Sequence, residues 1–407
     1  MDPISAVRER VARAPLAGEQ VLVACSGGPD SVTLLDALVA LGRVHHVACV
    51  DHQLRPESAA EAQGVVALAR AFGLPATVLP VTVARPSMAA ARAARYQALT
   101  AHARAVGAGV IAVAHTATDQ AETLLDRMVR GAGTRGLAAM ARVRPVAPGI
   151  RLVRPLLDVT SAEVAAYVTA RELQVVRDPT NANLAYRRSR LRHEVLPLLR
   201  RERADLDRAL VALCDRLAQD ADALDAQADR FHHALADAGG LDARALGDLP
   251  DAIAARVVAR AAGISLDSVH IDAIRRLCAG LHGTRSLDLP GGLVAERRYD
   301  RLRFGVRLAD PGDVEVPITG PGLYSFLRVT VEIAPDEWAT LATAGRLVLR
   351  NFRQGDVVRS GKLKALLIDR KVPRPERRWL PLLVRLPNEV LWAPGLIGKE
   401  LKMSALT

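Results

Sequence analysis

Apolar runs of strand length alternate with stretches of helical apolar spacing through the first half of the chain. The runs predict four strands, the first beginning at Val21 and the others at 47–50, 76–83 and 109–114. Helical spacing predicts one helix beginning near Val32 and others at 59–72 and 88–106. This alternation is typical of an α/β fold in which helices cover both faces of a parallel sheet. In such sheets ligands bind beyond the carboxyl ends of the strands, where Ser26, Asp51 and His115 fall.

The apolar pattern changes after Arg203 to long amphipathic helical spacing, as at Leu206 and Leu210. We therefore expect a mainly helical middle domain that ends near Phe304. The turn 310–312 marks a boundary, and the later apolar runs predict strands of a small α+β domain. These runs lie at 327–333, 347–349 and 382–386. The predicted domains are 1–203, 204–305 and 306–407.

A glycine turn joins the first strand to the first helix, with the sequence S-G-G-P-D-S from Ser26 to Ser31. Gly27 and Gly28 allow positive φ and close backbone approach, so consecutive N–H groups can converge on an anion. The following helix adds the positive end of its dipole, and the two serines add hydroxyl donors. A purely structural turn is the alternative, but six ordered positions after an apolar strand favour a phosphate-binding loop.

Composition argues against several classes of protein, among them membrane, metal-cluster and redox proteins. The chain has 407 residues, 50% of them apolar, which is enough for two or three separate cores. Its start mixes charged and apolar residues without a signal core, and no apolar run is long enough to span a bilayer, so a cytoplasmic protein without membrane contact is expected. The cysteines are never spaced as C-x-x-C, which argues against zinc, an iron–sulfur cluster and a redox dithiol. They stand at Cys25, Cys49, Cys214 and Cys278.

The formal charge of +11 indicates a polyanionic partner, and the charge is unevenly distributed. Residues 346–378 contain eleven Arg or Lys against three acids, and residues 187–203 contain seven Arg against two Glu. All five lysines lie at or beyond Lys362, so a Walker-type loop, which needs a lysine, is excluded before that point. Phosphate binding there depends on backbone amides and on arginines such as Arg92 and Arg95, which share a helical face.

His115, Asp119 and Glu122 follow the spacing i, i+4, i+7, which places them on one helical face if the helix begins near His115. Two carboxylates beside an imidazole could recognise an ammonium group, hold Mg²⁺ or orient a nucleophilic amine. From spacing alone, a helix-capping cluster with solvated acids is equally consistent. Zinc is disfavoured because no fourth ligand stands at a recognisable spacing.

Several motifs together resemble one family. The loop Ser26–Ser31 is similar to the pyrophosphate-binding loop of the ATP pyrophosphatase superfamily. Other stretches resemble the tRNA(Ile)-lysidine synthase family within it: D-H-Q-L-R at 51–55, A-R-A-A-R-Y at 91–96, H-T-A-T-D-Q-A-E-T at 115–123, R-G-A-G-T-R-G-L at 130–137, R-P-L-L at 154–157, D-P-T-N at 178–181 and the basic segment 187–197. The C-terminal part resembles the family's tRNA-binding module at 353–356, 361–364 and 371–374, although Gln354 replaces the usual proline and Lys364-Ala365 thins a denser lysine run.

The resemblance implies an ATP-dependent ligase that adenylates the wobble cytidine of tRNA(Ile) with a CAU anticodon and then attaches free L-lysine. It implies a catalytic domain at 1–203, tRNA-binding domains after it, and Mg²⁺ held by Asp30. The implied catalytic residues are Asp30, Arg95, His115, Asp119 and Glu122. The implied ATP contacts are Ser26, Gly27, Gly28, Pro29, Asp30, Ser31, Asp51, His52 and Arg92. The implied contacts with tRNA or phosphate are Arg187, Arg188, Arg190, Arg192, Arg353, Lys362, Lys364, Lys371 and Arg374. The oligomeric state stays open, a homodimer included.

Two other functions compete with this hypothesis. A 2-thiocytidine-type tRNA-modifying enzyme of the same superfamily would also adenylate a cytidine, but it would be expected to carry paired cysteines for sulfur delivery. A catalytically inactive RNA-binding relative would be expected to lack Asp30, Asp119 or Glu122, and all three are present. The G-x-G-x-x-G pattern at 131–136 follows a predicted helix rather than a strand, so a nicotinamide or flavin site is not indicated.

Overall fold

The computed structural model describes most of the chain in two compact units, Met1–Ala223 and Leu224–Thr407. The described residues are 2–53, 58–82, 88–176, 185, 187–264, 266–280, 283–306, 309–341, 345–370, 372, 374–398 and 400–405. The division into three domains stays a prediction, and each compact unit is described by itself.

The first unit alternates strands with helices, as its apolar pattern predicts. Its strands are β1 (Val21–Ala24), β2 (His46–Asp51), β3 (Ala76–Pro80), β4 (Val110–Ala112), β5 (Val143–Ala147) and β6 (Ile150–Val153). Its helices are α1 (Pro3–Ala12), α2 (Pro29–Ala40), α3 (Ser58–Ala71), α4 (Met88–Ala105), α5 (Ala117–Val129), α6 (Thr134–Leu137), α7 (Ser161–Ala170), α8 (Arg187–Arg190) and α9 (Leu196–Glu202). A π-helical turn, Leu191–Val195, joins α8 to α9, and α10 (Leu206–Leu235) follows.

These strands form one sheet in the order β3-β2-β1-β4-β6-β5. Neighbouring strands run parallel except at the edge, where β5 is antiparallel to β6. Side chains of β1 alternate between two cores, because Val21 and Val23 pack on one face and Leu22 packs on the other. Both faces are therefore buried, as expected for a parallel sheet between helices, and the predicted α/β fold is confirmed.

The second unit begins with an antiparallel sheet, β7-β8-β11-β10-β9, packed against three helices and the C-terminal part of α10. Its strands are β7 (Ala236–Asp237), β8 (Gly240–Asp242), β9 (Thr284–Asp288), β10 (Leu293–Arg298) and β11 (Arg301–Val306). Its helices are α11 (Ala243–Gly247), α12 (Asp251–Ala262) and α13 (Ser268–Ala279). Sequence analysis predicted this region as mainly helical. The apolar pattern does not reveal these strands, because they are short and only a few of their side chains are fully buried. Ala295 and Leu302 are among the buried ones.

The C-terminal part of the second unit has the predicted α+β composition. Two sheets are present, ordered β12-β15-β18-β19-β16-β17 and β13-β14-β20. The strands are β12 (Glu315–Ile318), β13 (Gly322–Phe326), β14 (Val329–Ile333), β15 (Leu347–Arg350), β16 (Val357–Val358), β17 (Gly361–Lys362), β18 (Leu382–Arg385), β19 (Glu389–Trp392) and β20 (Lys402–Ala405). The helices are α14 (Pro335–Leu341), α15 (Leu363–Asp369) and α16 (Arg374–Arg377).

A buried ion pair fixes the turn between β15 and β16. The Arg350 guanidinium donates to both oxygens of Asp356, at 3.0 and 2.5 Å, and each side chain is only 1% exposed. Asp356 also accepts a hydrogen bond from the backbone N–H of Arg353, at 2.8 Å. Asp356, the last residue of the motif R-Q-G-D at 353–356, therefore stabilises the backbone that leads into the hairpin β16–β17.

Asp356→Ala should lower the free energy of unfolding by about 3–5 kcal/mol, because it leaves the Arg350 guanidinium buried without a counterion. All three tryptophans lie in the second unit, so tryptophan fluorescence during urea unfolding reports on this unit. The matched control is Asp313→Ala, because Asp313 makes an ion pair with Arg378 while its own side chain is 65% exposed. The control should change stability by less than about 1 kcal/mol, and equal losses in both variants would contradict the role of the buried pair.

Candidate active site

The loop predicted to bind phosphate lies between β1 and α2. Gly27 adopts a φ of +80°, in the left-handed region that favours glycine, and Gly28 caps α2 with an extended conformation. Pro29 and Asp30 form the first turn of the helix. The open N-terminus of α2 thus points its unpaired N–H groups and positive dipole end toward the carboxyl edge of the sheet.

The two serines of the loop have different roles in this structure. Ser31 Oγ accepts a hydrogen bond from Ser26 N at 3.1 Å and donates to Gly28 O at 2.9 Å. The Ser31 hydroxyl is buried and braces the loop, so its proton is already used. Ser26 is exposed at the loop surface, with Oγ 3.3 Å from Ser31 Oγ. Of the two hydroxyl groups, Ser26 is therefore the better placed to donate to a ligand.

Val176 and Val65 enclose Gly27. Its carbonyl oxygen accepts a hydrogen bond from Val176 N at 2.9 Å. A Cβ at Gly27 would lie 3.3 Å from a methyl group of Val176 and 3.3 Å from one of Val65. Both the backbone angle and the surrounding space therefore restrict this position to glycine.

A cavity of about 860 Å³ opens at the carboxyl ends of β1, β2 and β4. It brings together most of the residues predicted to bind ATP and three of the five predicted catalytic residues. The predicted residues in its lining are Ser26, Gly28, Pro29, Asp30, Ser31, Asp51, His52, Arg95, His115 and Arg192. Asp119, Glu122 and Arg92 are not among the lining residues.

Asp51 ends β2 and His52 follows it, at the edge of this cavity. Asp51 Oδ1 accepts from Gln53 N at 2.8 Å and so also shapes the turn after the strand. His52 Nε2 accepts from Arg95 Nε at 3.2 Å. Burial lowers the pKa of His52, and the charge of Arg95 lowers it further, which keeps the imidazole in the neutral, accepting form. Arg95 is thereby oriented at the cavity wall.

Helix α5 begins at Ala117, so the prediction that His115 shares a helical face with the two acids is wrong. Thr116 caps the helix, because its hydroxyl accepts from Asp119 N at 3.3 Å while Asp119 Oδ2 accepts from Thr116 N at 2.9 Å. This capping box starts the helix at Ala117, two residues after His115. His115 instead lies on the segment between β4 and the cap, where it lines the cavity.

Asp119 and Glu122 are paired with two arginines that were predicted to bind RNA. Arg188 donates through its Nε to Glu122 Oε2 and through its Nη2 to Asp119 Oδ1, each at 2.6 Å. Arg192 donates through its Nη2 to Asp119 Oδ1 at 3.2 Å, and its Nε also donates to Glu122 Oε1. The Glu122 side chain is fully buried. In this state the two carboxylates and the two guanidinium groups therefore neutralise each other.

These contacts set the protonation of Asp119. Burial raises the pKa of the carboxyl group, but the charge of Arg188 and the hydrogen bond from the Thr116 backbone outweigh burial. The pKa of Asp119 is consequently held below its ordinary value. Asp119 is a carboxylate at neutral pH, available to an ammonium group if the arginines are displaced.

Asp30 has the opposite shift. Burial raises the pKa of Asp30 to about 6, with repulsion from Asp119 and Glu122 adding to the rise and Arg192 opposing it. A nearby cation would stabilise the charged form of such a carboxyl group. Within the described ranges no group of three or more His, Cys, Asp and Glu side chains could hold a metal by itself. Asp30 therefore suits Mg²⁺ that is bound mainly by phosphate oxygens, with one protein carboxylate.

The imidazole of His115 is held neutral. Burial lowers its pKa to about 4, with Arg154, Arg92 and Arg188 contributing and Asp119 opposing. Its Nδ1 is buried and has no hydrogen-bond partner among the described residues. His115 is thus a neutral base at the cavity wall whose proton affinity would rise if negative charge entered the cavity.

The pKa of His115 predicts a pH dependence of stability. Protons bind more readily to the unfolded chain, where the histidine pKa is about 6.5, so stability should be complete above that pH and fall as the pH decreases toward 4. The loss assigned to His115 is about 2 kcal/mol between pH 7.5 and pH 5. His115→Asn should remove this loss, as measured by hydrogen-exchange protection of the β1 and β4 amides at both pH values. An identical pH dependence in variant and wild type would contradict the shifted pKa.

The other basic residues predicted to contact tRNA or phosphate lie in both units. Arg187 forms an ion pair with Asp126 at 3.5 Å, and Arg190 donates to the carbonyl of Ala185 at 2.9 Å. In the second unit, Arg353 pairs with Glu315 at 3.0 Å, whereas Lys362 and Lys364 are exposed at the start of α15. Lys371 lies outside the described residues, as does the side chain of Arg374.

Sequence reasoning missed two features of the site. Val65 and Val176 close the space around Gly27, yet both appear in the sequence as ordinary apolar residues. Arg144 and Arg154 lie beside Tyr96. Arg154 begins the motif R-P-L-L, whereas Arg144 belongs to none of the family-like motifs. An excess of arginine without neighbouring acids is the one sequence signal that points to these two residues.

Two family profiles match the chain. A profile described as a PP-loop domain matches residues 4–199, and one described as the TilS substrate C-terminal domain matches residues 354–404. The first covers the sheet with the phosphate-binding loop, and the second covers the basic hairpin with α15 and α16. Within the described ranges, no helix combines the length and the apolar character needed to cross a bilayer.

Curated relatives match over most of their length. A tRNA(Ile)-lysidine synthase from Geobacter sulfurreducens is 36% identical over 424 residues, which cover 93% of this chain and 89% of the relative. One from Symbiobacterium thermophilum is 33% identical over 98% of this chain and 94% of the relative. A third, from Salinispora arenicola, is 43% identical over 74% of this chain and 96% of its own length.

Proposed function

Because this chain belongs to the tRNA(Ile)-lysidine synthase family, we propose that it ligates free L-lysine to C2 of the wobble cytidine of tRNA(Ile) with a CAU anticodon. The enzyme is a ligase with an ATP-using PP-loop domain. The reaction has two steps, adenylation of the cytidine and displacement of AMP by the lysine amine. It consumes ATP and releases AMP and pyrophosphate, and it changes the codon read from AUG to AUA.

One observation carries the proposal for the first step. The phosphate-binding loop, the N-terminus of α2, Arg95 and His115 all line the same cavity at the carboxyl edge of the sheet. The loop amides and Ser26 would hold the β- and γ-phosphates of ATP, and Arg95 would contact the triphosphate from the cavity wall. The C2 oxygen of the cytidine would then attack the α-phosphorus while pyrophosphate leaves into preorganised N–H donors.

Asp30 is our candidate ligand for Mg²⁺ bound with ATP. The ion would neutralise charge on the leaving pyrophosphate when it is present. The raised pKa of Asp30 supports this assignment, because a carboxyl group crowded by Asp119 and Glu122 is stabilised by a cation. The chain itself holds the phosphates through backbone amides, since no lysine precedes Lys362.

Asp119 and Glu122 are our candidates for recognising the ε-ammonium group of lysine. They present two buried carboxylates within one turn of α5, close enough to Asp30 to raise its pKa. The ammonium group must lose a proton before its nitrogen attacks C2, and neutral His115 is the candidate acceptor. The C2–N bond then forms, and the C2–O bond breaks to release AMP.

The basic residues support a role in tRNA binding. Lys362 and Lys364 are exposed on the part of the second unit matched by the C-terminal domain profile. Such residues position an RNA backbone without reading its sequence. We further propose a cytoplasmic location, because tRNA, ATP and free lysine occur together there. The thiolation alternative is not favoured, since all four cysteines are buried and unpaired.

A labelling experiment tests the proposed function. The purified protein is incubated with ATP, Mg²⁺, radiolabelled L-lysine and tRNA(Ile) bearing the CAU anticodon. We expect label on the tRNA together with stoichiometric release of AMP and pyrophosphate. A tRNA with the wobble cytidine replaced by uridine serves as the control and should stay unlabelled. Absence of both label and pyrophosphate with the correct tRNA would refute the proposal.

A further inference from the structure

Two arginines from different elements stack on one tyrosine at the edge of the sheet. Arg92 of α4 lies 5.1 Å from the centroid of the Tyr96 ring, and Arg144 of β5 lies 5.4 Å from it. Both arginine side chains are exposed. Two guanidinium groups on one ring repel each other, so this arrangement favours an anion that binds both.

A third cation lies buried beside them. Arg154 is 5% exposed, donates to the carbonyl of Ala141 and lies close enough to Tyr96 to interact with it electrostatically. Its Nε is buried and has no partner among the described residues. Burial lowers the pKa of Arg154, and the charges of Arg144 and Arg92 lower it further while Tyr96 opposes them. The Nε–H group of Arg154 is therefore an unused hydrogen-bond donor within a cluster of three arginines.

Other arginines of the same unit are paired with acids. Arg142 bridges Asp158 and Asp215, and Arg188 and Arg192 hold the carboxylates of α5. In the described part of the chain, no carboxylate forms an ion pair with Arg92, Arg144 or Arg154. Leaving a buried cation uncompensated is unfavourable, so the missing counterion is expected from a ligand.

The geometry points to a phosphate of RNA. We propose that Arg92, Arg144 and Arg154, grouped around Tyr96, bind a backbone phosphate of a nucleotide next to the reacting cytidine. This inference rests on the proposed function. It moves Arg92 from the predicted ATP contacts to the RNA.

The position of the cluster favours RNA over ATP. Tyr96 and Arg95 line the cavity of the phosphate-binding loop, whereas Arg92, Arg144 and Arg154 are not among its lining residues. The cluster is nevertheless close enough to the cavity for Arg154 and Arg92 to act electrostatically on His115. A base inside the cavity would thus place its flanking phosphates outside, near the exposed guanidinium groups. Arginine suits this contact, since it can bind phosphate while it stacks on an aromatic ring.

The test compares RNA binding and ATP binding in single variants of the full chain. The main variant is Arg144→Ala, because Arg144 is exposed and its removal should not disturb folding; Arg154→Met is the second variant. The control is Arg104→Ala, which removes an exposed arginine from the other end of α4. Affinity for an anticodon stem-loop carrying CAU is measured over a range of salt concentrations. Affinity for ATP is measured without RNA.

We expect Arg144→Ala to weaken stem-loop binding about 5- to 10-fold and to reduce the salt slope by about 1, with ATP affinity unchanged within about 2-fold. Arg104→Ala should bind both ligands like the wild type. Wild-type RNA affinity and salt slope in Arg144→Ala would overturn the inference, as would a loss of ATP affinity with RNA binding intact. A wild-type protein that binds no stem-loop would instead refute the proposed function.

Discussion

Gly27→Ala is expected to reduce ATP-dependent pyrophosphate release about 100-fold, and clearly more than Gly28→Ala does. Gly27 has a φ of +80°, a conformation that costs an alanine roughly 1–2 kcal/mol. The new methyl group would also lie 3.3 Å from methyl groups of Val176 and Val65, and such crowding costs about 1–3 kcal/mol. Together these costs shift the loop away from the arrangement in which its N–H groups converge on phosphate.

Gly28 provides the matched control, because it has an extended φ of −73° and the nearest atom to an added Cβ is Ser26 Oγ at 3.7 Å. The assay is pyrophosphate release in the presence of tRNA, with ATP affinity measured separately by calorimetry. The folded state of both variants is checked by circular dichroism. Equal activity losses in the two variants would mean that the loop needs flexibility at both glycines rather than a fixed conformation at Gly27.

Much of the first unit could be predicted from the sequence because its signals are local. The apolar runs of β1, β2 and β4 are buried on both faces, and glycine with proline marks the turn into α2. Strand order in a parallel sheet then brings the strand ends together, so Ser26, Asp51 and His115 line one cavity as expected. The antiparallel strands β5 and β6 were missed, and with them the position of Arg144.

The partners of the acidic residues could not be predicted from spacing. Arg188 meets Glu122 and Asp119 across 66 and 69 residues of sequence, and no local pattern specifies such a contact. From spacing alone, the carboxylates could serve an ammonium group, Mg²⁺ or a helix cap, and the family resemblance assigned the arginines to tRNA or phosphate. Because the two sets neutralise each other, an ammonium ligand of the carboxylates or a phosphate ligand of the arginines would have to displace these ion pairs.

Asp119→Asn is expected to raise the KM for lysine about 100-fold while the KM for ATP changes less. Asparagine keeps an oxygen that can accept the hydrogen bonds of Thr116, so the cap of α5 is retained. It removes the negative charge that would attract an ε-ammonium group, and loss of one partner of a buried charge pair costs about 2–5 kcal/mol in binding. The measurement is the initial rate of tRNA labelling at varied lysine, ATP and tRNA concentrations.

Asp119→Ala separates the two functions of this side chain, because it removes the carboxylate half of the capping box as well as the charge. If the charge recognises lysine, both variants should share the raised lysine KM, and the alanine variant should be the less stable of the two, by about 1 kcal/mol. If Asp119 acts instead by holding Arg188 and Arg192 for phosphate, the KM for tRNA or ATP will rise and the lysine KM will not. That second outcome would assign the acidic residues of α5 to positioning of the arginines and would leave the lysine site to be sought elsewhere in the cavity.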